Sequence, residues 1–356
     1  MLCSITKSAR VYPRCYTLKN LKISDAQPLA GGGFADIYKV SYKKEIMCVK
    51  VFRLFKKEDQ TQALVDSVKE MLLWANASHD NVLPFYGIYR DEAAGRPCLV
   101  SPWMENGNLH EYLKRHPDAP RALLVQDVAE GLHYLHQASI VHGDLKAQNI
   151  LVSDDGRALI ADFGLSTVAM TTRRASPNTV AGCTTRFTAL EIVLNKDGRV
   201  KPTKASDIWS FGCLCLEAFT GKTPYYRCRT DVQVVMALQK EEKPDQPRDG
   251  DDICGTLEGW ISDMMKGCWA TDPKERPSCE KIRNTLVTNG NQPDVRPKTP
   301  IRAKDKPVFR RDMEDQLGME PDYRRVEELI RDVSAEPSSF APMQLMRTAR
   351  AVIVSW

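Results

Sequence analysis

At 356 residues the chain has room for one large or two ordinary domains, and 42 % hydrophobic with 27 % charged residues is the composition of a globular protein. A net charge of +4 is too small to argue for nucleic acid or a membrane surface, and no apolar run approaches the length that spans a bilayer, so neither partner is expected. Eleven cysteines scattered through apolar runs, behind an N-terminus (MLCSITKSAR) without an apolar signal core, read as reduced thiols of a cytoplasmic or nuclear protein.

Residues 1–20 are an uninformative extension. The first patterned stretch is Leu29-Ala-Gly-Gly-Gly-Phe-Ala-Asp-Ile37, ahead of the strand-like Ile37-Tyr-Lys-Val-Ser-Tyr42. A glycine run there is either a plain turn or a loop whose backbone N–H groups approach phosphate oxygens. Ile46-Met-Cys-Val-Lys-Val-Phe52 is a buried-strand run interrupted by Lys50. A cation in such a run is an edge charge or needs an acidic partner. The helical pattern over 58–77 carries Glu70, with Leu73 and Trp74 on its apolar face. A second helical pattern covers 120–139. Its His133 and His136 have no third ligand nearby, so packing is favoured over a metal.

The densest stretch is VHGDLKAQNILVSDDGRALIADFGL, residues 141–165. Its apolar runs Ile150-Leu-Val152 and Ala158-Leu-Ile160, around Asp154-Asp155-Gly156, spell a β-hairpin. That hairpin places Asp144 and Asn149 beside Asp162 at one rim. A carboxylate that takes a hydroxyl proton, with an Asn and a second carboxylate that hold Mg²⁺ against phosphates, is what phosphoryl transfer needs. Residues 166–184 are rich in Thr, Ser and Arg, the composition of a mobile loop. Asp207 opens and caps a long buried helix containing Cys213 and Cys215, and helices follow over 231–240, 257–269 and 278–287. Past 289, Pro293, Pro297, Pro300 and Pro307 read as a linker, 312–333 as a charged helix, and 349–356 as an apolar end.

As a set, these motifs resemble the protein-kinase superfamily. His142-Gly-Asp144 stands for the H-R-D of the catalytic loop, Asn149 for its Asn, and Asp162-Phe-Gly164 is an intact D-F-G. Lys50 stands in the V-A-I-K strand, with Glu70 its helix partner. The resemblance implies an α+β, two-lobed fold: a small β-rich N-lobe with one helix and a larger, mostly helical C-lobe. The kinase domain is expected over 21–289, followed by a low-order charged tail, 290–356, that is a candidate dock for a protein partner. It also implies ATP and Mg as cofactors and proteins as substrates. Asp144 is then the catalytic base, Lys146 the charge beside it, and Lys50 with Glu70 the clamp on the α/β-phosphates. Asn149 and Asp162 hold the metal. The nucleotide is held by Leu29, Ala30, Gly31, Gly32, Gly33, Phe34, Ala35, Ile37, Cys48, Lys50, Pro102, Met104 and Leu151. Ser101 lies at the back of the adenine pocket. Pro102 offers adenine its C=O and Met104 its N–H, and Asn108 touches ribose or caps a helix. Asp207 braces the catalytic loop, and Glu191 pairs with Arg276.

Lys146, two residues after Asp144, and Thr184, seven before Glu191, follow the Ser/Thr kinases. Cys268-Trp269 and Asn106-Gly-Asn-Leu109 look tyrosine-kinase-like, so the resemblance is to the tyrosine-kinase-like (TKL) group of Ser/Thr kinases. Ala30 and Ala35 replace loop glycines, Gly143 the H-R-D arginine and Leu190 the proline of A-P-E. These departures motivate the alternative of a weak or inactive pseudokinase that binds nucleotide or scaffolds partners. If Ala30 takes a left-handed conformation, it weakens ATP binding by about 1–2 kcal/mol. Because Gly143 replaces the arginine that receives a loop phosphate, activity is expected not to depend strongly on phosphorylation of Thr171, Thr172, Ser176 or Thr179.

Overall fold

The computed structural model describes residues 21, 28–31, 35–42, 45–52, 74, 77–90, 97–163, 185–195, 201–247, 257–290 and 293–297. They fall into two units, one holding the large sheet with Pro84–Trp103, the other Ala77–Leu83 and Met104–Thr299.

The first unit is a five-stranded antiparallel sheet. Strands β1 (Ala30–Gly31), β2 (Ala35–Tyr42), β3 (Glu45–Phe52), β4 (Gly87–Arg90) and β5 (Pro97–Pro102) stand in the order β1-β2-β3-β5-β4. The two-residue period of β3 divides its side chains. Met47, Val49 and Val51 face a core with Val40, Cys98 and Val100. Each such side chain contributes about 1.5–3 kcal/mol on burial. Cys48 and Lys50 therefore share the other face.

The second unit is mostly helical. It contains α1 (Leu109–Arg115), α2 (Arg121–Gln137), the hairpin of β6 (Ile150–Val152) and β7 (Ala158–Ile160), α3 (Leu190–Val193), α4 (Lys204–Thr220), α5 (Asp231–Gln239), α6 (Gly259–Cys268) and α7 (Cys279–Asn289). Helix α4 is buried along nearly its whole length. It begins at a capping box formed by Thr203 and Ser206 and ends at Gly221, whose φ of +73° suits a residue without Cβ. The sequence reading gave this cap to Asp207. The helix starts a turn earlier, and Asp207 is free for another task. Buried Arg121 on α2 donates to the Ala218 carbonyl of α4 at 2.6 Å, tying the two central helices. Cys213, Cys215, Cys268 and Cys279 are buried free thiols. Among the described residues no helix is long and apolar enough to cross a membrane.

The prolines at 293 and 297 were expected in a loose linker. The intervening Asp294 and Arg296 instead bind Arg157 and Asp127 of this unit.

Candidate active site

The hairpin sets the spacing. β6 and β7 pair in the register Ile150↔Ile160, Leu151↔Leu159, Val152↔Ala158, around Gly156 at φ +71°. At the open end the Ala161 N–H donates to the Asn149 carbonyl at 2.9 Å. The chain entering Asp162 thus runs beside the 3-10 turn Ala147–Asn149. Asp162 has φ +58°, a region that few residues besides Gly, Asn and Asp occupy and that concentrates at functional sites.

Asp144 gathers the nearby donors. Lys146 Nζ donates to its Oδ2 at 2.8 Å. Asn149 Nδ2 donates to the same oxygen at 3.0 Å and to the Asp144 carbonyl at 2.7 Å. These bonds fix the carboxylate while its Oδ1 is buried without a hydrogen-bond partner. A buried oxygen left bare costs about 1–3 kcal/mol unless something else comes to it. A hollow beside Asp144 is lined by Phe187, Ala189, Ile192 and Pro202.

A second layer holds the loop. His142 is fully buried; its Nε2 donates to the Ala161 carbonyl at 3.0 Å, and its Nδ1 accepts the Asp144 N–H at 3.2 Å. Only a neutral imidazole does both, and burial holds its pKa below the ordinary 6.5. Asp207 is the anchor. Its Oδ2 accepts the His142 N–H and its Oδ1 the Gly143 N–H, each at 2.8 Å, and His136 Nε2 lies 2.9 Å from Oδ2. His136 thus serves the loop. Gly143 has φ +77°, where a side chain is strained. Glu191 and Arg276 form a two-pronged pair at 2.8 Å, and Arg276 also donates to the Ala205 and Ala270 carbonyls.

In the sheet unit, Lys50 stands opposite Ile37 and Leu99, and Cys48 opposite Lys39 and Ser101. Cross-strand neighbours share a face. Ile37, Cys48 and Lys50 are therefore on one side of the sheet, all half-buried. Ala35 is buried, Leu29 is exposed with its N–H bonded to the Ile37 carbonyl, and Pro102 ends β5 opposite Met47. Ala30 lies in β1 opposite Ile37 and is absent from the positive-φ residues. The expected left-handed penalty does not arise, because β1 continues as strand through Gly31. In the helical unit, Met104 is buried, and Leu151 forms a bridge with Asn108. Asn108 Oδ1 accepts the Glu111 N–H at 2.9 Å, so it caps α1. Gly32, Gly33, Phe34, Glu70, Thr184 and the loop residues Thr171, Thr172, Ser176 and Thr179 lie outside the described residues, as do 312–333 and 349–356.

The sequence reading missed Asp127, Arg157 and Arg296. It also missed Arg186, which donates to the Pro224, Tyr225 and Cys228 carbonyls. Their partners are distant in sequence, and no local pattern marks them.

Residues 23–286 match the family of protein tyrosine and serine/threonine kinases. The chain belongs to that family. The sheet unit and the helical unit are the kinase N-lobe and C-lobe, and the family uses ATP and a divalent metal. The kinase domain is 29 % identical over 266 residues to the serine/threonine/tyrosine-protein kinase HT1 of Arabidopsis thaliana, covering 71 % of this chain and 63 % of that one. It is 29 % identical over 277 residues to the human receptor-interacting serine/threonine-protein kinase 1, covering 73 % and 40 %. It is 33 % identical over 236 residues to the rat receptor-interacting serine/threonine-protein kinase 3, covering 61 % and 48 %. The match thus spans less than two thirds of each relative's length. Relatives of this kind agree with the tyrosine-kinase-like reading of the motifs.

Proposed function

We propose that this kinase transfers the γ-phosphoryl group of Mg-ATP to Ser and Thr hydroxyls of proteins. The observation that carries the reading is Asp144, with one carboxylate oxygen held by Lys146 and Asn149 and the other buried and bare. The bare Oδ1 accepts the proton of the incoming hydroxyl, whose oxygen forms the new bond to the γ-phosphorus as the bond to ADP breaks. Lys146 offsets charge on the moving group. Asn149 spends its amide N–H groups on Asp144 and keeps its side-chain carbonyl oxygen; with the Asp162 carboxylate this is an all-oxygen donor set of the kind Mg²⁺ prefers. A Mg²⁺ ion held by these oxygens would neutralise phosphate charge. Lys50, with Glu70, orients the α/β-phosphates, and the backbone from Ala30 to Ala35 covers them. Leu29, Ile37, Cys48, Leu151 and the backbone of Pro102 and Met104 hold the adenosine. Choice of Ser/Thr rests on Lys146 and Thr184.

Three of the four departures that argue for a pseudokinase lose force. Ala30 sits in a strand, Gly143 suits its backbone angle, and Leu190 opens α3 with the Glu191–Arg276 pair intact. The test is transfer of labelled γ-phosphate from Mg-ATP to a generic protein substrate, beside an Asp144→Asn variant. Transfer by the wild type that is lost in the variant is expected. Equal background in both overturns the proposal.

A further inference from the structure

Asp127 on α2 is 5 % exposed, yet it faces two arginines. Arg296 grips it at both oxygens, Nη1 to Oδ2 at 2.8 Å and Nη2 to Oδ1 at 3.2 Å. The same guanidinium donates to the Gly156 carbonyl at 2.9 Å and the Leu123 carbonyl at 3.3 Å. Asp294 orients it, accepting its Nε at 2.9 Å. Arg157, at the hairpin's closed end, binds Asp294 and donates to the Arg296 carbonyl at 3.0 Å and the Pro297 carbonyl at 3.3 Å. Asp127 Oδ2 also accepts the Ala158 N–H, the first ladder residue of β7, at 3.0 Å. One buried carboxylate therefore joins helix, hairpin and the segment beyond α7. Removing Arg296 would leave this buried carboxylate with Arg157 alone of the two arginines, at 3.4 Å from Oδ1, and weakening the pairing of a buried charge is where its strength shows.

The hairpin is the part that carries Asn149 at one flank and Asp162 at the other. We propose that residues 293–297 are a strap that positions this hairpin from its closed end, with Arg296 a positioning residue for the metal-holding pair. The catalytic half of the proposal rests on the kinase reading; the mechanical half does not.

The test uses the full chain with Arg296→Ala, and Val295→Ala at an 87 % exposed neighbour as control. Hydrogen–deuterium exchange of amides 150–161 is expected to quicken roughly ten-fold or more, with amides of α4 unchanged. The Mg²⁺ concentration for half-maximal phosphotransfer is expected to rise roughly ten-fold, as when a metal ligand loses its support. The control matches the wild type in both. Unchanged exchange in the hairpin overturns the strap. Faster exchange with unchanged Mg²⁺ dependence overturns the positioning role. A wild type that transfers no phosphate sinks the kinase reading and the positioning role with it, and exchange then decides the strap alone. Should Arg296→Ala fail to fold, Asp294→Ala, at a side chain 27 % exposed, gives the same readouts with smaller factors.

Discussion

Asp207 satisfies three donors at once, the His142 and Gly143 N–H groups and the His136 ring. All converge on a residue 1 % exposed. Asp207→Ala strips buried donors of their acceptor at about 1–3 kcal/mol each. The expected result is a kcat lower by about two orders of magnitude or more with KM for ATP little changed, because the loop carries Asp144 and not the adenine contacts. Steady-state kinetics checks the split. Gly143 poses the opposite case. Gly143→Arg restores the family's arginine at φ +77° and is expected to cost about 1–2 kcal/mol, a melting point lower by several degrees. The wild type, without that arginine, is expected to keep most of its activity when Thr171, Thr172, Ser176 and Thr179 are all changed to Ala; phosphotransfer of the quadruple variant measures it.

Among the elements, α4 and the hairpin make the tightest demands. A Cβ on Gly212 of α4 meets Trp269 Nε1 at 2.7 Å and Cys268 Cβ at 2.8 Å. Both neighbours are buried, so Gly212→Ala forces α6 away from α4. Overpacking of this kind typically costs about 1–3 kcal/mol, read in a denaturant midpoint. A Cβ on Gly131 of α2 comes within 2.4 Å of the Asn81 carbonyl, the acceptor for the Ile160 N–H of β7. The hairpin was legible in the sequence because its register depends on two short apolar runs and a turn glycine, all local. The Asp144–Lys146–Asn149 set was legible for the same reason. What was not legible depends on partners far along the chain: Arg296 lies 169 residues from Asp127, and Arg186 caps carbonyls 38–42 residues away. Prolines around Arg296 pointed to a linker, since composition reports local stiffness and not the carboxylate waiting elsewhere. Asp207 was read both as a brace of the catalytic loop, which its bonds to the His142 and Gly143 N–H groups bear out, and as the helix cap. Its residue type suits the role, but Thr203 and Ser206 already fill it.

For the molecule as a whole, two histidines pull stability in opposite directions with pH. His110 Nδ1 lies 2.7 Å from buried Glu217, and that hydrogen bond raises its pKa above 6.5 despite partial burial. Its contribution is complete below 6.5 and is lost as pH climbs through the raised value. His142, held below 6.5 by burial, has its full contribution above 6.5 and loses it as pH falls from there. These two histidines therefore take stability away on opposite sides of the ordinary imidazole range, His110 on the alkaline side and His142 on the acid side. His110→Gln should flatten only the alkaline limb of a melting-temperature profile taken over about pH 5 to 8.

The clasp on Asp127 also has a place in time. A ribosome adds roughly 5–20 residues per second. The 169 residues between Asp127 and Arg296 thus separate the two by something like ten to thirty seconds of synthesis. The turn residue Gly156, whose carbonyl also accepts from Arg296, is made 140 residues before it, roughly 7–28 seconds at that rate. Arg296 is made after every motif of the active site, so the clasp can form only once residue 296 has been added.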